Sequence, residues 1–228
     1  MFFYMMNMNW KINKRYWYYS FRKSEVNKLV ENFCSYLTKK IRKENPEVDD
    51  EKAEIIKYGL ELMIGELPKL LIIVIIAFVL KIGWLVLFAY IVLLPYKVST
   101  GGFHCKTHLG CFIGTCVMFY GTAFLSKYII FESLYLKYII VFIIFTFCFF
   151  MIKLYAPADT ENVPIFSIKE RNKKKKLAYI FLIINLIAAL FIQPTILGNI
   201  FIFGTLIHTF TITKLAYTLS KSKYGYQK

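Results

Sequence analysis

Thr100-Gly101-Gly102-Phe103-His104-Cys105-Lys106-Thr107-His108-Leu109-Gly110-Cys111 is a short polar, glycine-bearing stretch between two long apolar runs, Trp84 to Val98 and Leu109 to about Ile130. The apolar residues of those runs are continuous rather than striped at helical or strand spacing. That pattern reads as a pair of membrane spans, and it puts the polar stretch at a membrane boundary.

The rest of the chain repeats the pattern. Its 228 residues are 57% hydrophobic, with a mean hydropathy of +0.50, well above an ordinary soluble domain. Further apolar runs cover Leu70 to Leu80, Leu134 to Leu154, Leu177 to Ile192 and Ile196 to about Leu219. Several fall short of the roughly 20 residues that a hydrocarbon core of about 30 Å requires, so each is expected to borrow residues from its flanks. The expected fold is an all-α membrane protein of about six transmembrane helices, with an N-terminal cytoplasmic amphipathic helix. Residues 1–53 form the interfacial N-terminal region, 54–219 the polytopic domain and 220–228 a basic cytoplasmic tail. Gly110, Gly114 and Gly121 in the third span are expected to allow close helix contact.

The N-terminal region has two parts. Residues 1–23 mix aromatics and cations without periodicity, and no apolar segment with a small-residue cleavage site marks a signal peptide. Ser24 is an N-cap candidate for a helix to about Lys43. Along it Val26, Leu29, Val30, Phe33, Leu37 and Ile41 recur at spacings of three and four. This is a basic amphipathic helix, fit either for the inner membrane surface or for packing on the protein's own membrane domain. Asn45-Pro46 ends it. Pro68 is expected to kink the helix that leads into the first span.

A net charge of +15 would ordinarily point to nucleic acid, but here the cations flank spans. With six spans and the N-terminus inside, the inner segments hold 24 Lys and Arg and the outer turns only Lys81, Lys127 and Lys137. That asymmetry obeys the positive-inside rule. It implies a cell-membrane protein whose partner is the lipid bilayer, with no nucleic acid, and it puts His104 to Cys111 on the cytoplasmic side, where a thiol stays reduced. The five cysteines form no paired CxxC spacing and suggest no disulfide framework.

The polar stretch carries the chemistry. If the chain is helical from His104 onward, His104 and Cys111 are seven residues, nearly two turns, apart and share a face. A thiol is a nucleophile only as thiolate, and a position in the first turns of a helix favours an anion. A histidine can take the thiol proton and return it to a leaving amine. His104 is the favoured base and His108 the competing one. Lys106 adds positive potential, and Gly101-Gly102 allows a sharp turn and the close approach of a substrate chain. Two other readings of the same residues stand. They are ordinary interfacial polar residues, or His104, Cys105, His108 and Cys111 ligate zinc. Structural zinc sites usually draw ligands from two separated elements, so no metal or other cofactor is expected.

Gly101 to Cys111 resembles the active-site segment of the accessory gene regulator protein B (AgrB) family of membrane cysteine peptidases. There a glycine pair precedes a histidine, a basic residue follows, and a cysteine comes seven after the histidine. Ala156-Pro157-Ala158-Asp159-Thr160-Glu161-Asn162-Val163-Pro164 is similar to that family's second recognisable segment. Cys105 stands where the family has a small alanine, and His108 is an additional histidine. The resemblance covers roughly residues 25–215. It implies a cysteine endopeptidase that matures a quorum-sensing propeptide, with Cys111 as nucleophile and His104 as base. A thioester acyl-enzyme would form and be resolved by a Cys or Ser within the bound peptide, giving a thiolactone or lactone. The implied propeptide has an amphipathic leader and an acidic C-terminal tail, which Lys173, Lys174, Lys175 and Lys176 would hold by charge. The competing reading of the run is a topology signal alone. Asp159 or Glu161 either supports the histidine as a third member or caps a helix or orders the loop, and a homodimer fits the family. The competing function is a small membrane transporter, which would need ionisable residues midway through several spans. The candidates are Glu61, Glu66 and His208, the last in a run with Thr205, Thr209, Thr211 and Thr213 that reads better as helix-to-helix hydrogen bonding. A non-catalytic membrane partner is the third option.

Overall fold

Each apolar run forms a helix, the sixth in two pieces, in the computed structural model, which describes residues 28–45, 48–103, 105, 108–131, 133–160, 165 and 167–225. In order the helices are α1 (Lys28–Glu44), α2 (Asp50–Val79), α3 (Gly83–Thr100), α4 (His108–Tyr128), α5 (Leu134–Tyr155), α6 (Ile168–Phe191), α7 (Thr195–Phe210) and α8 (Lys214–Leu219). No strand occurs among the described residues, so the chain is an all-α membrane protein. By length and apolarity α3, the Leu109–Tyr128 part of α4, and α5 can each cross a membrane, and Leu67–Val79 and α7 are shorter apolar helices. Ser24 and Pro46 lie outside the described residues. Pro68 and Pro95 sit inside α2 and α3 without ending them.

The chain falls into two compact units, Met1–Ile73 and Val74–Lys228. In the first, Lys57 bridges Glu31 of α1 and Glu61 of α2, at 3.6 Å to each, and Arg42 pairs with Asp50. On α1 the buried positions are Cys34 and Thr38, whereas Phe33, Tyr36 and Ile41 are exposed. The apolar stripe read along this helix therefore splits between a buried line and an outward line beside exposed Lys39 and Lys40.

In the second unit α7 is the central helix, packed against α3, α4, α5 and α6. Its residues Gly198 to Thr205 are all buried, as are His208 and Thr209. Lipid offers no hydrophobic gain for bringing helices together, so close packing and buried hydrogen bonds must do it. A side chain on Gly204 would collide with Leu93 of α3, and one on Gly198 would stand 3.1 Å from the Ala189 carbonyl oxygen of α6. The tight approaches are thus made by the glycines of α7. At Gly121 and Gly114, where close contact was expected, an added Cβ would make only ordinary contacts, 3.7 Å to Ile207 and 4.0 Å to Phe103. Polar ties span the same core. Tyr96 Oη and Thr209 Oγ1 share a hydrogen bond of 2.6 Å, and Asn185 Nδ2 donates to Thr205 Oγ1 at 3.0 Å. The threonines of α7 therefore join helices, as their sequence pattern suggested, while the outward faces of α4 and α5 expose Ile113, Val117, Phe142 and Ile143.

Two boundaries differ from the sequence reading. The helix that carries the apolar run Leu177 to Ile192 begins earlier, at Ile168, because Ser167 caps α6, its Oγ accepting from Glu170 N at 3.4 Å, and Glu170 sits in the first turn. The sixth apolar run is broken after Phe210. Thr211 and Thr213 turn their hydroxyls back onto the carbonyls of His208 and Phe210, at 2.7 and 2.8 Å, and Thr213 then caps α8. Threonine hydroxyls that compete for backbone carbonyls favour such a break.

Candidate active site

The glycine pair is where three segments meet. Gly101 and Gly102 both have positive φ, 76° and 143°, which ends α3 and turns the chain away from it. Gly101 pairs in a single parallel bridge with Ala158. Ala158 N donates to Thr100 O at 2.8 Å, Gly102 N to Ala158 O at 3.0 Å, and Phe103 N to Thr211 O at 3.2 Å. A Cβ on Gly101 would run into the Ala158 carbonyl, and one on Gly102 would stand 2.6 Å from Thr211 Oγ1. Glycine is needed at both positions for φ and for space. At Gly101 the protein's own second motif makes the close approach, through Ala158.

Beyond the glycines, Phe103 lies within van der Waals reach of Gly114 and Cys105 is not helical; α4 begins only at His108. The shared-face argument for His104 and Cys111 needs a helix from His104 onward, and α4 begins only at His108, so it does not apply. His104, Lys106 and the side chain of His108 lie outside the described residues. Cys111 falls in the first turn of α4, near the backbone N–H groups that a helix leaves unpaired at its start, and its carbonyl accepts from Thr115 Oγ1 at 2.9 Å. Burial, together with the neighbouring Cys111, pushes the Cys105 thiol above its ordinary pKa. None of the five cysteines forms a disulfide.

The second motif is ordered from behind. Asp159 is buried, and its Oδ2 accepts from Arg171 Nη1 and from Ile165 N, both at 2.9 Å. Arg171 Nη2 also donates to Pro157 O at 3.3 Å. The Asp159 carbonyl accepts from Tyr217 Oη at 2.9 Å and from Gly225 N at 3.4 Å. Tyr224 stacks on Tyr217 with ring centroids 3.8 Å apart, and its hydroxyl donates to Ile212 O at 3.0 Å. Of the two roles open to Asp159, this surrounding supports ordering the loop. Glu161 to Pro164 lie outside the described residues.

The lysine run occupies the first turns of α6. Lys174 pairs with Glu170 at 3.6 Å and Lys175 Nζ donates to Lys153 O at 2.7 Å, while Lys173 and Lys176 are exposed. Successive residues differ by about 100° around a helix, so the four do not form one patch. Sequence reading gave no site role to Lys97, Arg171, Tyr217 or Tyr224, and read Thr211 only as one of a run of helix-joining threonines. Lys97 counted only towards topology, although a lysine at the end of an apolar run and just before a glycine pair was a usable signal.

The fold and this segment define an all-α membrane protein with a cysteine at the start of an internal helix, beside a backbone junction of two distant loops. The chain belongs to the accessory gene regulator B family, whose model matches residues 34–212. It is 30% identical over 182 residues to an AgrB-like protein of Listeria innocua, covering 79% of this chain and 87% of that one. An AgrB-like protein of Clostridium perfringens is 31% identical over 156 residues, 65% of this chain and 70% of its own length. No solved structure matches. Membership ties the chain to the agr quorum-sensing system.

Proposed function

We propose that this protein is a membrane cysteine endopeptidase that matures a quorum-sensing propeptide. The observation that carries the reading is the junction of the family's two motifs, Gly101-Gly102 against Ala158, beside a cysteine in the first turn of α4. The thiol proton of Cys111 passes to an imidazole, His104 by family resemblance, with His108 as the competitor. The sulfur attacks the carbonyl carbon on the C-terminal side of the future signal. The C–N bond breaks, the amine leaves with the proton from the imidazolium, and a thioester remains. A Cys or Ser of the bound peptide then gives up its proton, attacks the thioester carbon and displaces the Cys111 thiolate, closing a thiolactone or lactone ring. Exclusion of water favours closure over hydrolysis, and a site at the membrane boundary serves that need.

The positive-inside asymmetry supports a multi-pass arrangement in the cell membrane with the site and N-terminus cytoplasmic. The substrate is a propeptide with an amphipathic leader and an acidic tail, and exposed Lys173 and Lys176 are the cations best placed to meet that tail. Reconstituted protein incubated with such a propeptide should form an adduct on Cys111 that hydroxylamine cleaves, as expected of a thioester. An adduct on another residue, or cleavage with no adduct under rapid quench, would overturn the mechanism.

A further inference from the structure

Helix α1 and the start of α2 form a hairpin. Arg42 pairs with Asp50 near the turn and Glu31 with Lys57 farther along, so the two helices run antiparallel. The line that α1 buries is Cys34 and Thr38. At about 100° per residue, Phe33, Tyr36, Lys40 and Lys43 fall within an arc of about 80°, and the buried line lies about 100–140° round from Phe33. Lys39 borders the same arc. Phe33 and Tyr36 are 52% and 64% exposed, and Lys39, Lys40 and Lys43 are exposed with them. The apolar spacing along the helix groups Phe33 with residues of other faces and leaves out Tyr36 and the lysines, so it does not pick out this stripe.

The chemistry of the stripe changes along its length. Its first half offers aromatic rings and its second half ammonium groups. Tyr36, Lys39, Lys40, Lys43 and Glu44 are the described lining of an open hollow of about 610 Å³. Three cations against one carboxylate leave it net positive. The cations at the α1–α2 contact are spent on carboxylates, Arg42 on Asp50 and Lys57 on Glu31 and Glu61. A helix face with aromatic rings beside lysines suits the boundary between acyl chains and acidic headgroups, where the negative surface potential attracts lysine. The bilayer is also close. The apolar stretch Leu67–Val79 belongs to α2 itself, and Leu67 stands about 25 Å of helix beyond Asp50. Pro68, which has no N–H to pair one turn back, marks where the hairpin can lean onto the membrane surface. We propose that this stripe of α1 docks on acidic phospholipid, with Lys39, Lys40 and Lys43 holding headgroup phosphates and Phe33 and Tyr36 sinking between them. The inference does not depend on the peptidase reading.

The test is lysine acylation of the full-length protein in lipid nanodiscs, with an N-hydroxysuccinimide acetate probe and peptide mass mapping. Discs of phosphatidylcholine are compared with discs that also contain phosphatidylglycerol. The exposed tail residues Lys221 and Lys223 serve as internal references. Relative to them, acylation of Lys39, Lys40 and Lys43 should slow at least fivefold in the acidic discs, and high salt should restore it. Phe33→Ser combined with Tyr36→Ser keeps all three amines and removes only exposed rings, so it should abolish most of the slowing. Should that double variant fail to insert, Lys39→Gln combined with Lys40→Gln decides, and the slowing at Lys43 should shrink. Equal rates in the two kinds of disc overturn the inference, as does slowing that survives the loss of both rings. Slowing in neutral discs only when an acidic-tailed propeptide is added would assign the stripe to that peptide and overturn the lipid site. No arm reads propeptide cleavage, so failure here leaves the peptidase reading to its own test.

Discussion

Gly102 donates its backbone N–H to the Ala158 carbonyl at 3.0 Å, joining the loop before α4 to the loop before α6. Whatever loosens the second loop must therefore be felt at the glycine pair and at the start of the helix that carries Cys111.

Gly101→Ala tests that junction most locally. The residue has φ of 76° and its missing Cβ leaves room for the Ala158 carbonyl. Strain of about 1–3 kcal/mol is expected for alanine at such a backbone position, in addition to the collision. Propeptide cleavage should fall at least tenfold while the protein still inserts in the membrane, as judged by fractionation. Near-normal cleavage would mean that the junction does not set the site.

Asp159→Asn separates a structural carboxylate from a catalytic one. Breaking the buried pair with Arg171 should cost ~3 kcal/mol and lower the Tm in detergent. Arg171→Gln should do the same, and activity should follow stability in both. A variant with wild-type Tm and no turnover would instead make Asp159 a member of the catalytic set.

Ending the chain at Lys223 removes Tyr224 and Gly225, and with them the ring stacked on Tyr217 and one donor to the Asp159 carbonyl. The remaining Tyr217 hydroxyl bond holds the loop less firmly, so cleavage should drop several-fold with membrane insertion intact. An unaffected rate would show that Tyr217 suffices.

Cys105 offers a pH test. Its pKa is raised by burial and by Cys111, so the folded protein favours the protonated thiol. Its alkylation should be slow near neutrality and rise only above the ordinary thiol range, while in denaturant it should match a model thiol. Fast labelling of folded protein at pH 7 would contradict the assignment of Cys111 as the nucleophile of the pair.

The helices were legible because long apolar runs admit few other structures in a membrane, and the glycine pair was legible as a turn. What lay hidden depends on pairings between distant segments. One main-chain bridge between Gly101 and Ala158 leaves no periodic mark in either motif. The break at Thr211 was masked by the apolar residues around it, yet that break is what brings a carbonyl to Phe103 and a hydroxyl to Lys97. The shared face of His104 and Cys111 required a helix from His104 onward, and α4 starts only at His108.

The most direct measurement is the fate of a propeptide co-expressed with Cys111→Ala. The account predicts that uncleaved propeptide accumulates, no cyclic product appears in the medium, and the variant stays in the membrane at wild-type level. Normal processing by that variant would contradict it.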